Sequence, residues 1–344
     1  MNPFLKQVAD HYFKEGNIQR RCFIFPNRRS MLFFRKYLCE NVADSRENPI
    51  LAPQMLTIND LFLKASGTRV ADRVRLLIDL YASYRELNPA AETLDEFIFW
   101  GDMMLGDFND VDKYLVDPVQ LFRNVSDYKE MQDDFSHLTP VQKEAINAFI
   151  KHFKDEAGRL TVHLDTDDPD VKGKFLQIWN IMLPLYEKFN ALLDAKGLAY
   201  EGKVYRHLAY QLKNHPAEDI FAAVFPRVEK FVFVGLNALN EAEKTVLRKL
   251  RDASMAEFCW DWSGDMIRDP QNRSSFFMSD NVKEFPQAFS LDAEGLPLPH
   301  FRVVSVASSV GQAKRLPDII GQIADMQTEG DLSKVGRFGK KGAD

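Results

Sequence analysis

The sequence predicts an α/β fold in which one parallel sheet is interrupted by a large all-helical insertion. Three observations lead there. In Arg21–Leu38, RCFIFPNRRSMLFFRKYL, a β-type run over Cys22–Phe25 ends at Pro26, and an amphipathic helix begins at once behind Asn27, Arg28 and Arg29. Strand, tight polar turn and helix is the unit with which open α/β sheets bind phosphates. Far along the chain Lys230–Val234, KFVFV, is a second strongly β run, ending at Gly235 and followed by a charged amphipathic helix over Asn240–Arg251. Between about 70 and 212, apolar residues instead recur at helical spacing, with hardly a β-branched run. Alternating strands and helices at both ends, with helices alone between them, imply a single sheet built from the two ends.

The elements follow in order. Asn2-Pro3 suits a helix start, with Asn as cap and Pro at the first helical position, and Gly16 suits its end. The strand at Cys22–Phe25 and the helix through Phe33, Phe34 and Leu38 come next. An extended segment, Ile50–Leu56, leads into Thr57-Ile-Asn-Asp60, a cap with an acid three positions on, and a short helix closing at Gly67. Within the helical block Leu76, Leu77, Leu80, Tyr81, Tyr84 and Leu87 mark one helix. Thr93-Leu-Asp-Glu96 caps another that carries Phe97, Trp100, Met104 and Phe108. Thr139-Pro140 opens a third and Phe175–Lys196 a long fourth, kinked at Pro184, with an acidic loop, Leu164–Asp170, between them. Met255–Trp262 and Phe301–Ala307 read as further strands, and Val310–Met326 as a further helix behind Ser308-Ser309. The expected boundaries are 1–69 and 213–334 for the two parts of the sheet domain, 70–212 for the insertion, and 335–344 for an irregular tail. That tail reads as a truncated or frameshifted end.

At 344 residues the chain is long enough for two or three domains. A net charge of −6 excludes a globally basic nucleic-acid binder but leaves room for a local basic strip. Cys22, Cys39 and Cys259 are odd in number, widely spaced and set among apolar residues, so they read as reduced core thiols of a cytoplasmic protein. Nothing in the sequence resembles a signal peptide or a membrane span.

Chemistry is conspicuous by what it lacks. Arg20, Arg21, Arg28, Arg29, Arg35 and Lys36 fall close together among Phe and Tyr. Such a set could hold a nucleic-acid backbone, or form a solvated helix face, or pair with acids. A phosphate loop needs converging glycines and a lysine, and no G-x-x-x-x-G-K-[ST] occurs; Gly336–Gly342 has the wrong spacing. Phosphoryl transfer also needs a metal-bearing acid at a strand tip. The KFVFV strand ends in Gly235-Leu236-Asn237, and Glu241 and Glu243 follow only inside the next helix. The Asp102, Asp107, Asp110, Asp112 cluster and the Asp165, Asp167, Asp168, Asp170 loop read as solvated surface rather than metal sites. No catalytic residue, metal or cofactor is expected.

As an ordered set, Phe23–Leu38, Ala52–Leu63, Trp100–Asp117, Phe231–Leu250 and Cys259–Ser263 resemble the N-terminal part of the AddB/RexB-type subunit of bacterial helicase–nuclease complexes. The likeness is to the Bacteroidetes-like version, an inactivated superfamily I helicase. It implies a RecA-like (P-loop NTPase-like) domain with a helical insertion, a place in DNA double-strand-break repair, an AddA-like helicase–nuclease partner, and DNA as substrate. By that pattern Pro26–Arg29 corresponds to the turn after a helicase-like strand, near the expected path of DNA or partner; with Arg35 from the basic set, Asn27, Arg28 and Arg29 are the nucleic-acid-binding candidates. Pro26, Gly235, Leu236 and Asn237 stand at degenerate nucleotide-site positions, and Gly235–Asn237 is where an active helicase carries its Mg²⁺-binding acid. Members of the family continue into a second helicase-like half and a PD-(D/E)XK nuclease, which this chain lacks, so nuclease activity does not carry over. The expected role is a non-catalytic scaffold. The alternatives are a partner-binding module without DNA contact and a nucleotide hydrolase with an unorthodox phosphate loop.

Overall fold

A computed structural model describes residues 3–45, 50–88, 91, 93–122, 171–262, 267, 273–291 and 303–328. The expected helix at Thr139, the acidic loop 164–170 and the tail 335–344 lie outside these residues, as does most of 263–272 and 292–300. The chain divides into two compact units, Met1–Asp292 and Ala293–Asp344.

The first unit is mixed α/β around a four-stranded parallel sheet of order β2-β1-β5-β6, made of β1 (Arg21–Phe25), β2 (Gln54–Thr57), β5 (Lys230–Val234) and β6 (Ala256–Cys259). Cys22 sits opposite Gln54 on one side and Phe231 on the other, so the two ends of the chain meet at β1. All five β1 residues are buried. A parallel strand covered on both faces needs apolar residues at every position, and RCFIF supplies them after Arg21.

Alternation sorts these side chains between two layers. Phe23, Phe25, Val232, Val234 and Cys259 face α1 (Phe4–Glu15) and α2 (Arg28–Ser45), which bury Val8, Tyr12, Phe34 and Leu38 against them. Cys22, Ile24, Phe231, Phe233 and Phe258 face the opposite layer. That layer holds α3 (Ile58–Ser66), a helix over Glu201–Asn214, one over Ala217–Val224 and one over Glu241–Asp252. The crossover from β1 to β2 runs through α2 on one face, and that from β5 to β6 through Glu241–Asp252 on the other. Crossovers of one hand that move in opposite directions must use opposite faces.

A separate apolar cluster joins α4 (Arg73–Leu87), α5 (Leu94–Lys113) and α6 (Val171–Ala195), with Leu80, Phe97, Phe108, Leu185 and Phe189 buried in it. A short two-stranded pairing, β3 (Arg69–Val70) with β4 (Leu198–Ala199), closes its base. The helix over Glu201–Asn214, α7, belongs to both regions. Tyr200 at its cap lies in the helical cluster, whereas Val204, Tyr205, Leu208 and Leu212 pack under the sheet. Among the described residues the remaining α-helices are α8 (Ala217–Val224), α9 (Glu241–Asp252), α10 (Phe276–Glu284) and, in the second unit, α11 (Ser309–Thr328).

At the α5–α7 crossing the backbones nearly touch. A Cβ on Gly202 would lie 2.6 Å from the Asn109 carbonyl oxygen, while the Gly202 N–H donates to Asn109 Oδ1 at 2.7 Å. Beside it Asp112, fully buried, accepts from Tyr186 at 2.6 Å, from Tyr200, and from Arg206 Nε at 2.5 Å. Arg206 also donates to the Val111 and Val116 carbonyls, each at 2.7 Å, satisfying the end of α5. Burial, and then the Asp112 charge, raise the phenol pKa values of Tyr186 and Tyr200.

Four expectations need correction. Val303–Val306 joins no ladder: Val303 and Val304 are exposed, and a β-prone run without a paired edge has nothing to hold it extended as a strand. The first helix begins at Phe4 with an extended Pro3 as its cap residue, whose carbonyl accepts from Lys6 and Gln7. Cys39 is exposed because it lies on the outer face of α2, unlike the buried Cys22 and Cys259. Asp112 is no solvated acid, since the inward face of α5 carries it to Arg206.

Removing Asp112 as Ala leaves the Arg206 charge buried without its partner, and should cost about 3–5 kcal/mol in urea unfolding. Gly202→Ala should cost about 2 kcal/mol through forced separation of α5 and α7. The tyrosines add a pH signature. Their folded pKa values lie above the unfolded one, so the stability they confer is intact below pH 10 and drains away as pH rises beyond it. Alkaline unfolding of the native chain should therefore be steeper than that of Tyr186→Phe.

Candidate functional site

Four parallel strands place all four carboxyl ends on one edge. From β1 the chain steps out to β2, and from β5 it steps to β6 in the opposite direction, so the order reverses between β1 and β5. In open α/β sheets the ligand crevice lies outside the strands at such a reversal. The sequence candidates gather there. Ile24 is opposite Phe233, which sets Pro26–Arg29 beside Gly235–Asn237 at adjacent strand tips. Arg35 lies apart, about 10 Å further along α2.

The helix starts on this edge are closed by their own side chains. At α2, Asn27 Oδ1 accepts from the Ser30 N–H at 3.0 Å and from its hydroxyl at 3.2 Å. At α3, Thr57 Oγ1 accepts from the Asp60 N–H at 3.2 Å, and the Asp60 carboxylate accepts from the Thr57 N–H at 3.1 Å. At α9, Asn240 Oδ1 accepts from Glu243 N–H at 2.9 Å, and Glu243 accepts from Asn240 N–H at 3.0 Å. Each cap thus takes one of the amides that would otherwise greet a phosphate. At α3 and α9 the cap also brings a carboxylate, which repels an anion.

The tip of β5 is apolar and filled. Gly235 has φ 67°, a left-handed conformation that favours glycine, and its N–H donates to the Cys259 carbonyl at 2.8 Å. A Cβ there would meet the Phe4 ring at 3.2 Å. Leu236 and Leu239 turn inward and are buried in the sheet core. Asn281 Nδ2 donates to the Asn237 carbonyl, tying this turn to α10. Leu236 thus stands in the core and not at a solvent-facing seat.

The basic set divides sharply. Arg20 pairs with Glu229; Arg21 pairs with Glu15 at 2.6 Å and donates to the Gly16 carbonyl at 2.7 Å; Lys36 pairs with Glu40 at 3.8 Å. Arg28, Arg29 and Arg35 are exposed and have no ion pair among the described residues. Phe34 packs on Phe23 and Phe25 and fixes which face of α2 looks outward.

Two features of the edge were not legible as such. Asp261 stands just past β6, exposed on one side, and partial burial raises its carboxyl pKa. It is two strands, about 10 Å, from β1. The residues around Glu243 form a bridge to the insertion. Lys113 at the end of α5 pairs with Glu201 at 2.8 Å and lies 5.1 Å over the Tyr205 ring, and Tyr205 donates to Asn59 at the start of α3. Only the β-run endings and capping patterns were readable beforehand; which carboxylates approach the edge depends on how α5 and α7 cross.

Among the described residues no three His, Cys, Asp or Glu side chains converge as metal ligands would, and no helix is long and apolar enough to cross a membrane. Asp102, from the α5 acidic cluster, pairs with Arg73 on α4. No protein-family model and no curated protein sequence matches the chain.

Leu236→Asp places a carboxylate in the core without a partner and should destabilise by about 3 kcal/mol or more, read as a fall in the urea midpoint. Glu243 behaves differently. Burial raises its pKa despite the opposing Asn240 amide and Lys113. Its contribution to stability is therefore fullest below the unfolded value of 4.5 and is lost as pH rises through the folded value. Glu243→Gln, which keeps the acceptor, should match the native chain in acid and exceed it in stability at pH 7.

Proposed function

We propose that this chain is a non-catalytic, RecA-like scaffold domain of the AddB/RexB kind, contributing DNA and partner-subunit contacts to a helicase–nuclease of double-strand-break repair. The observation that carries the reading is the state of the β1–β5 edge. Phosphoryl transfer depends on a cradle of free amides and a metal-bearing acid acting together. Here Asn27, Thr57 and Asn240 each occupy one of the helix-start amides, Pro26 supplies none, and the residue after Gly235 is a core leucine. The sheet retains the geometry of a ligand-binding crevice while its residues are committed to holding the fold. Arg28, Arg29 and Arg35, without ion pairs among the described residues, remain as the surface suited to a polyanion. A DNA role follows from those three cations together with the resemblance in residues 23–38 and 231–250.

The purified chain should show no Mg²⁺-dependent ATP turnover and no nucleotide-induced rise in Tm. Turnover abolished by a change at Arg28, Gly235 or Asp261 would overturn the scaffold reading in favour of an unorthodox hydrolase. DNA binding should be salt-sensitive. With about three phosphate contacts, affinity for a single strand should fall about 20-fold between 50 and 200 mM salt. Arg28→Ala/Arg29→Ala should remove most of it. Affinity untouched by that double change would place the DNA surface elsewhere; no DNA binding together with stable capture of an AddA-like subunit would leave a pure partner-binding module.

A further inference from the structure

We propose that the outer face of α2 is a stacking platform for single-stranded nucleic acid, with Phe33 receiving a base between flanking phosphate contacts. The inference rests on the DNA-contacting reading above and adds to it which form of DNA is held. Residues 28, 32 and 35 form one row along α2, and 29, 33 and 36 the adjoining row, because positions three and four apart share a helix face. The two rows read Arg28, Leu32, Arg35 and Arg29, Phe33, Lys36. Phe34 and Leu38 anchor the opposite face in the core, so these rows point outward. Leu32 is 54% exposed and Phe33 44%.

An apolar pair left in water between four cations is an unusual use of a surface helix. Scattered exposed apolar residues need no explanation, but these two are flanked by charge of one sign, three of the four cations having no ion pair among the described residues. Duplex DNA would use only the charges, since its base faces are closed to a side chain. A single strand offers both halves of what the face lacks: phosphates for the cations and unstacked rings for Phe33. From Arg29 to Lys36 is about 10 Å along the helix, room for two nucleotides. The row ends at Glu40, which pairs with Lys36 and sets the limit of the path. An acidic protein could also cover Leu32 and Phe33, yet it would gain nothing particular from an aromatic ring at position 33.

The test measures binding of the full chain to a dT oligonucleotide and to a duplex of equal length, across a salt series, for the native chain and three variants. Phe33→Ala should weaken single-strand binding about tenfold, with the salt slope and the duplex affinity unchanged. Arg28→Ala/Arg29→Ala should weaken both and flatten the slope. Phe33→Trp should restore single-strand affinity and show fluorescence quenching on titration with the oligonucleotide. Because Phe33 is exposed, each variant should keep the native Tm. Single-strand affinity unaltered in Phe33→Ala but lost in the arginine variant would overturn the platform and leave the DNA reading standing. Absence of binding by the native chain would overturn both. Loss of a co-purifying helicase–nuclease subunit in Phe33→Ala, with DNA binding intact, would make the face a protein interface and overturn the proposal.

Discussion

The pairing of β1 with β5 is the constraint on which the rest depends. β1 is buried on both faces and hydrogen-bonded on both edges, so every helix of the sheet layers takes its position from it. Its partners differ in kind. β2 follows it after one helix, whereas β5 follows only after the helical excursion from Arg73 onward. Long-range parallel pairings form late, because loop closure must precede the contacts that reward it. Until Lys230–Val234 is available, Phe23 and Phe25 have only half their cover and one edge of β1 is open. Completing the sheet therefore fixes the two ends of the excursion and, with them, the place from which the helical cluster projects.

The excursion is tied back by α7 and not by the sheet alone. Asp112, Arg206, Tyr186 and Tyr200 join three elements through one fully buried carboxylate, and Arg206 also holds two carbonyls where α5 ends. Such a pair gains little over apolar packing in free energy, but it admits few alternative arrangements. Leu115, at φ 55°, occupies the left-handed region in the turn that Arg206 secures. The tight approach at Gly202 adds a steric limit to the electrostatic one. The insertion and the sheet layers share a helix whose rotation is set from both sides.

How much of this was legible follows from the range of the forces involved. The strands at Cys22–Phe25 and Lys230–Val234, the caps at Thr57 and Thr93, and the helical period of Leu76–Leu87 are local, and sequence spacing reveals them. Sequence adjacency also drew attention to Pro26–Arg29 and Gly235–Asn237, and parallel register brings them together. It could not sort the basic set, because Arg20 and Arg21 find Glu229 and Glu15 only once the chain is folded. Asp112 was hidden for the same reason: its partners stand on α6 and α7, far away in sequence. Val303–Val306 misled in the other direction, since β-branched composition records fitness for a pleated surface and not the presence of a neighbour.

The self-capped helix starts have a further consequence for how this edge meets an anion. Backbone amides and helix dipoles are rigid, so a site built from them is organised before the ligand arrives. With one amide of each helix start satisfied internally, the β1–β5 edge leans more on exposed arginine side chains for its positive charge. Each one that settles on a phosphate gives up rotamer freedom worth about 2 kcal/mol, so every contact is individually shallow. Surfaces of this type gain strength by being held near their ligand, through the effective concentration that a tethered partner supplies. On the proposed DNA-contacting role, such an edge would guide a strand that something else has already grasped, letting it slide from contact to contact without being trapped at any one of them.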